Sequence, residues 1–407
     1  KIENAINQYN DQLLSDNIVN FALGTKDRLM HLLIQSADAP LTVNNKVQVL
    51  KDAVEKYPVL FKMMEQAKEH IHLEYYILRD DDIGRELAEL LIKKAGEGVE
   101  VRLLYDGVGS ARFGRKFKNK LLLAGVKVSS FLPVRIPILN SSLNYRNHRK
   151  IAVVDGRKAM VGGINIGNEY LGADKRRGYW RDTHLLMEGD GVNSLQLIFL
   201  LDWFFASGEE LDLFRYLPAQ VSMPEKHYVQ VAASGPDSEW GAIHQSYFSI
   251  ISTAEESLYI TSPYFIPGDS ILMALKTAAL SGVDVRLLIP QNPDYKIVHW
   301  ASHSYLEEIM EAGVRVYLYK KGFIHSKVLI SDGTIASVGT ANMDERSFNH
   351  NFEVNAILYS REVVEEVEHQ FFQDLADSVE LDLEEYKNKP LLRQLGESFA
   401  RLLSPLL

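Results

Sequence analysis

Apolar and polar positions follow two alternating periods along this chain. Ile83 to Ala95 carries Leu87, Leu90 and Leu91 at helical spacing, and Ser270 to Leu280 carries Ile271, Leu272 and Leu275 in the same way. Each stretch leads into a short strand-like run, Val99-Glu-Val-Arg-Leu-Leu104 or Val283-Asp-Val-Arg-Leu-Leu288. A second pair, Ala124-Gly-Val-Lys-Val128 and Ala312-Gly-Val-Arg-Val316, follows further on. Each half therefore reads as strand, helix, strand, helix, strand, which predicts α/β halves with largely buried sheets. A repeat of about 180 residues is too long for a solenoid, so two homologous domains are expected.

The expected division is a mostly helical segment over 1–45, one domain over 46–216, a second over 217–386, and a C-terminal amphipathic helix over 387–407. The junction falls within Phe214 to Trp240, which holds Pro218, Pro224, Gly235 and Pro236. Glu362 to Glu385 contains no Lys or Arg. It reads as a solvated helix with Val364, Val367, Phe371 and Leu375 facing inward. Leu391, Leu392, Leu395, Phe399, Leu402 and Leu403 recur at helical spacing and predict a helix docked on the core. The most apolar window, Leu195 to Phe205, is interrupted by Asp202 and falls short of the roughly 20 residues of a membrane-spanning helix.

Composition narrows the chemistry. The 407 residues contain no cysteine, which excludes disulfides, thiol catalysis and cysteine-built zinc or iron–sulfur sites. With 54 acidic against 44 basic residues the formal charge is −10, which argues against a general nucleic-acid binder.

The candidate chemistry lies in the repeat. His148-Arg-Lys150 is followed by Asp155, Gly162 and Asn165, and His325-Ser-Lys327 by Asp332, Gly339 and Asn342, with identical spacing. A histidine two residues from a lysine on a strand places both side chains on one face. A basic pair on a buried strand calls for an anionic guest or a neutralising partner. The glycine-bearing turns at Gly162-Gly163 and Gly339-Thr340 let backbone N–H groups approach a phosphate, and Asn165 and Asn342 add neutral donors. If the halves pack face to face, two imidazoles, two ammonium groups and two amides converge without a carboxylate cluster for a metal. That inventory suits a phosphodiester, with one imidazole as nucleophile and the other as general acid and base. The lysines and asparagines would hold the charge on the non-bridging oxygens. No cofactor and no metal is expected. Each nucleophilic or acid histidine needs its far nitrogen held. Asp182 is expected to orient His148 and Glu353 to orient His325, with ordinary salt bridges to Arg181 and Arg346 as the rival reading. Asp155 and Asp332 precede glycine, which favours a turn-forming scaffold role.

At these residues the chain resembles the phospholipase D superfamily, whose signature is a doubled H-x-K-x4-D with a downstream G-x-x-N. The usual serine after the first glycine is replaced by Gly163 and Thr340. More closely, the chain is similar to the bacterial cardiolipin synthases, through His72-Leu-Glu-Tyr-Tyr-Ile77, Asn147-His-Arg-Lys150, Val161-Gly-Gly-Ile-Asn-Ile-Gly167, Trp180-Arg-Asp182, Val338-Gly-Thr-Ala-Asn-Met343, Arg346-Ser-Phe348 and Arg401-Leu-Leu-Ser-Pro-Leu-Leu407. The resemblance implies two phospholipase D-like domains, each a central mixed sheet flanked by helices, with one active site at their pseudo-twofold interface. It implies a catalytic set of His148, Lys150, Asp155, His325, Lys327 and Asp332, with Gly163, Thr340, Asn165 and Asn342 around the phosphate. The implied reaction moves a phosphatidyl group from one phosphatidylglycerol to another through a phosphohistidine on His148, releasing glycerol. The near symmetry of the halves leaves the order of the histidines open.

The implied partners are phosphatidylglycerol, cardiolipin and an anionic membrane surface, with a second copy of the chain as a further candidate, and not nucleic acid. The implied location is the bacterial cytoplasmic membrane, with spanning helices expected upstream of Lys1. The stretch from Gly125 to His148 is 23 positions long against 12 from Gly313 to His325. Its extra piece, Phe131 to Leu139, is apolar and could line an acyl-chain tunnel or dip into a bilayer. Basic residues at Arg112, Arg115, Lys116, Lys118 and Lys120, around Phe113 and Phe117, and at Lys175, Arg176 and Arg177 could face anionic lipid. A phospholipase D-type hydrolase, another phosphatidyltransferase, a nucleic-acid phosphodiesterase and a membrane-surface scaffold are the alternatives.

Overall fold

A computed structural model describes residues 25–132, 144–174, 177–292 and 294–404. The first half supplies β1 (Thr42–Asp52), β2 (His70–Tyr75), β3 (Glu100–Asp106), β4 (Lys127–Phe131), β5 (Arg146–Asn147), β6 (Lys150–Val154), β7 (Lys158–Gly162) and β8 (Tyr179–Gly189). The second supplies β9 (His227–Ser234), β10 (Ser257–Thr261), β11 (Phe265–Ile266), β12 (Asp284–Pro290), β13 (Arg315–Tyr319), β14 (Gly322–Ile324), β15 (Val328–Ser331), β16 (Ile335–Gly339), β17 (Met343–Asp344), β18 (Asn351–Leu358) and β19 (Ser378–Glu380).

Within the first half the strands lie in the order β4-β3-β2-β6-β7-β8-β1. Within the second the order is β13-β12-β10-β15-β16-β18-β9, the same succession of equivalents. In each half the first three strands are parallel and joined by helical crossovers, as parallel pairing requires, and the others are antiparallel. The helix Asp82–Gly96 makes one crossover, starting where Asp81 accepts from Gly84 N at 3.1 Å. Its counterpart is Gly268–Leu280. Both lead into glycine in the left-handed region, Gly98 at φ +91° and Gly282 at φ +96°, where a Cβ would strain the turn. β1 begins at Thr42, ahead of the boundary expected at 46, and pairs with β8 and, through a bulge, with β9.

Alternation along the strands sorts the core into layers. On β6, Ala152 and Val154 pack under the helices of their own half, while Ile151 and Val153 face the other sheet. There they meet Val328 and Ile330 of β15 and Val354 and Ala356 of β18 in a core shared by both halves. The helix Gly191–Ser207 contains the most apolar window of the chain; Leu195, Phe199, Leu200 and Trp203 are buried. The helix Arg361–Ala376 turns Val363, Val364, Val367 and Phe371 into the shared core, with Leu375 partly buried against it. The helix Thr25–Ala37 packs Leu29, Met30 and Leu33 onto the second half.

One expectation is narrowed here and another fails. Phe113 and Phe117 are core residues, the Phe113 ring tilted against Tyr105 at 4.9 Å and edge-on to Phe117 at 5.0 Å, so only the cations of that cluster face solvent. The C-terminal helix Leu391–Leu402 is not docked by its apolar stripe: Leu391, Leu392, Leu395, Phe399 and Leu402 are all exposed. The apolar insert beyond Leu132, and Lys175 and Arg176, lie outside the described residues.

Candidate functional site

Both H-x-K segments sit where the halves exchange strands. β5, just before His148, pairs in parallel with β18 of the second half, and β14, just before His325, pairs in parallel with β8 of the first. His148 N donates to Phe352 O at 2.9 Å, and His325 N to Arg181 O at 2.7 Å. Each histidine is thus seated on the strand that carries the other half's acidic residue.

The orienting pairs are consequently crossed relative to the sequence expectation. His148 Nδ1 lies 2.9 Å from both carboxylate oxygens of Glu353. His325 Nδ1 lies 2.8 Å from Asp182 Oδ2. The strand exchange is the physical reason. It also removes the rival reading, since Arg181 pairs with Asp374 at 2.8 Å and Arg346 donates to Asn144 O at 3.1 Å.

Burial sets the charge states. The two imidazoles are 8% exposed and the carboxylates fully buried. Desolvation, only partly opposed by Glu353, lowers His148 to about 4. Desolvation and the Lys327 charge lower His325 to about 3. Burial works against ionisation of the carboxylates too, yet His148 and Lys150 hold Glu353 below its ordinary value, and Lys327 and His325 do the same for Asp182. Both imidazoles are therefore neutral, with the Nδ1 proton assigned toward the carboxylate and Nε2 left free. Lys150 and Lys327 are buried, which lowers them to about 7 and about 8 against the pull of Glu353 and Asp182. Lys150 Nζ donates to His148 O at 2.5 Å, and Lys327 Nζ donates to His325 O and lies 2.9 Å from His325 Nδ1. With the Nδ1 proton committed to Asp182, the ammonium group sits alongside that nitrogen and bonds to the carbonyl.

His148 and His325 line one cleft of about 370 Å³, together with Asn165 and Asn342. Four arginines, Arg79, Arg146, Arg177 and Arg346, line it as well. Arg79 and Arg177 are paired with Glu169, at 3.1 and 3.3 Å, and Arg177 lies over the Trp180 ring at 5.4 Å. Arg177 is thus part of the cleft wall. Among the described residues, no group of three or more His, Asp or Glu side chains is placed to hold a metal ion.

Of the twelve sequence candidates, four line the cleft: His148, His325, Asn165 and Asn342. Lys150, Lys327, Asp182 and Glu353 touch the histidines from outside that lining, and Asp155, Asp332, Gly163 and Thr340 also lie outside it. Asp155 and Asp332 have φ +53° and precede Gly156 and Gly333 at φ +60° and +57°, closing tight turns between β6 and β7 and between β15 and β16. The Asp155 carboxylate accepts from the backbone N–H groups of Lys68, Glu69 and His70, and that of Asp332 from Glu255, Glu256 and Ser257. They are structural, because their oxygens are consumed by backbone donors. Gly163 and Thr340 lie behind the orienting carboxylates instead of facing a phosphate. A Cβ on Gly163 would stand 2.0 Å from Asp182 Oδ1. The Thr340 hydroxyl accepts from Val354 N at 2.9 Å.

Sequence reasoning missed the aromatic walls and a buried support. The Tyr76 ring meets His148 edge-on at 5.0 Å, and the Trp180 ring tilts over His325 at 5.2 Å. Both stand in the segments quoted for the family resemblance, beside Glu74 and Asp182, so their positions next to motif residues were the available signal. Lys56 is fully buried and donates to Ile164 O at 2.9 Å, bracing the turn that presents Asn165. Nothing in its amphipathic helical context marks it.

The profile of the family described as "Cardiolipin synthase, PLD-like domain" matches residues 60–176 and 247–375. Curated cardiolipin synthases are 48% identical over 93% of this chain and 76% of the relative in Geobacillus thermodenitrificans, and 49% identical over 94% and 76% in Alkalihalophilus pseudofirmus. Cardiolipin synthase 2 of Bacillus anthracis is 49% identical over 90% of this chain and 72% of its own length. The solved phosphatidylserine synthase of Haemophilus influenzae superposes on 94% of this chain and 100% of that one with a TM-score of 0.72 at 15% identity, a likeness of fold alone. Two matched domain segments and near-half identity across nine-tenths of the sequence place the chain in the cardiolipin synthase family, among the phospholipase D-like phosphatidyltransferases.

Proposed function

We propose that the cleft joins two phosphatidylglycerols into cardiolipin through a phosphohistidine, at the surface of the bacterial cytoplasmic membrane. The observation that carries this reading is the pair of histidines from opposite halves, each with Nδ1 tied to a buried carboxylate, in one arginine-lined cleft. In the first step His148 Nε2 attacks phosphorus of one phosphatidylglycerol. The P–O bond to the headgroup glycerol breaks, and His325, protonated as the anionic substrate enters beside it, gives its Nε2 proton to the leaving oxygen. In the second step His325 takes the proton from a hydroxyl of another phosphatidylglycerol. That oxygen attacks phosphorus, and the P–N bond to His148 breaks. Glu353 holds the nucleophile in the tautomer with a free Nε2, and Asp182 does the same for the acid and base. Lys150 and Lys327, with Asn165 and Asn342, carry the negative charge of the non-bridging oxygens as the trigonal bipyramid forms. Tyr76 and Trp180 shield the P–N bond from water, which favours transfer over hydrolysis.

The test is incubation of the purified chain with phosphatidylglycerol vesicles, followed by acid-free mass analysis of the protein. Cardiolipin, free glycerol and a phosphatidyl adduct on His148 support the reading. An adduct that survives His148→Ala moves the nucleophile to His325. Phosphatidic acid as the sole lipid product overturns synthesis in favour of hydrolysis.

A further inference from the structure

The C-terminal helix is mounted with its charged side inward. At about 100° per residue, Leu391, Leu392, Leu395, Phe399 and Leu402 fall in one stripe about 100° wide. Their exposures are 75, 85, 66, 60 and 79%. The opposite side holds the buried Glu397 and Ala400. Glu397 pairs with Lys389 at 2.7 Å and Arg393 at 2.8 Å, while Arg401 pairs with Glu308 at 2.6 Å and lies over the Tyr305 ring at 4.3 Å. Gly396 lies flat on Trp300, where a Cβ would stand 3.5 Å from the indole. A surface helix of a water-soluble domain ordinarily turns its apolar stripe to the core. Here ion pairs and an indole contact fix the reverse, and a contiguous apolar face of this kind marks an interaction site.

The geometry points to a lipid surface as the occupant. The helix packs on Lys296–His303, whose Val298, with the preceding Tyr295, lines the cleft. Ile297, Trp300 and Tyr295 are themselves exposed, so the apolar face runs from the C-terminal helix to the mouth of the cleft. Tyr and Trp suit the headgroup level, with their apolar bodies in the acyl region and polar tips in water. At 12 residues the helix is too short to cross a bilayer and lies along it. This docking face rests on the phosphatidyl-transfer reading: a substrate whose two acyl chains stay in the bilayer reaches the cleft only if the mouth is held at headgroup depth.

The experiment uses the cysteine-free sequence, which makes a single introduced cysteine uniquely labelled. An environment-sensitive dye on Phe399→Cys is expected to shift to the blue when phosphatidylglycerol vesicles are added, and the same dye on the exposed Glu89→Cys of the first half is not. The triple variant Leu392→Glu, Leu395→Glu, Phe399→Glu should sediment with vesicles at least about tenfold more weakly, since one apolar side chain withdrawn from the interface already forfeits about tenfold. It should keep wild-type turnover of a short-chain phosphatidylglycerol below its micelle concentration, the readout that tests the cleft chemistry separately. An unshifted dye at Phe399, or unchanged vesicle binding by the triple variant, overturns docking. Loss of self-association with unchanged vesicle binding would assign the face to a second copy and also overturn it.

Discussion

The Glu353 carboxylate reaches across the interface between the halves and sets both of its oxygens 2.9 Å from His148 Nδ1. Asp182 makes the reciprocal reach to His325. The two carboxylates hold different groups of the proposed reaction, Glu353 the nucleophile and Asp182 the acid and base, so their removal weakens different parts of it. Glu353→Gln leaves His148 without its anchoring charge and should lower adduct formation by about 10²- to 10⁴-fold. Asp182→Asn should lower overall turnover in the same range, and in both variants rapid-quench mass analysis reports which step is lost. A larger loss of adduct in Asp182→Asn than in Glu353→Gln would reverse the roles of the two histidines.

With substrate bound and the His325 proton taken up with it, the titrations of the buried site predict a bell-shaped pH dependence of kcat. His148 is a nucleophile only above about 4, and the lysines keep their charge only below about 7 and about 8. Activity should rise through the first value and fall through the other two. Both imidazoles release their protons more readily in the folded chain than at the ordinary 6.5, so the unfolded chain binds more protons below that value. Stability is thus complete above pH 6.5 with respect to these groups and is lost as pH falls toward about 4 and about 3. Denaturant midpoints measured from pH 7 to pH 4 check the second claim.

Gly163 tests the packing behind the acid. A methyl group there meets Asp182 Oδ1 at 2.0 Å, and so displaces the carboxylate from His325. Gly163→Ala should cost at least about tenfold in kcat, since a tenfold loss needs only about 1.4 kcal/mol of misplacement. Wild-type turnover in this variant would show that the carboxylate relaxes without consequence.

Asp155→Ala and Asp332→Ala should behave as stability variants. Each strands three backbone N–H groups and places alanine at φ +53°, with an expected loss of about 2 to 3 kcal/mol. Near-normal kcat in the folded fraction, measured at low temperature beside a denaturant titration, separates this from a catalytic role.

Much of this architecture was readable before any coordinates. The doubled H-x-K, the Asp-Gly turns and the matched helical periods express local rules, and local rules survive folding. The partner of each histidine is not local. It depends on β5 joining β18 and β14 joining β8, a long-range register on which spacing is silent. Leu391 to Leu402 shows another limit: periodicity reveals that a helix has an apolar side, while the direction in which that side points is decided by ion pairs such as Glu397 with Lys389. Lys56 and Tyr76 escaped because their roles arise from tertiary placement, not from pattern.

Strand exchange has a mechanical consequence. Rocking one lobe away from the other would pull Glu353 off His148 and Asp182 off His325 in the same motion, dismantling nucleophile and acid together. Hinge opening of the kind that admits substrates to many two-domain enzymes is therefore closed to this one. Lipids have to enter and leave through a standing aperture while the lobes remain clasped.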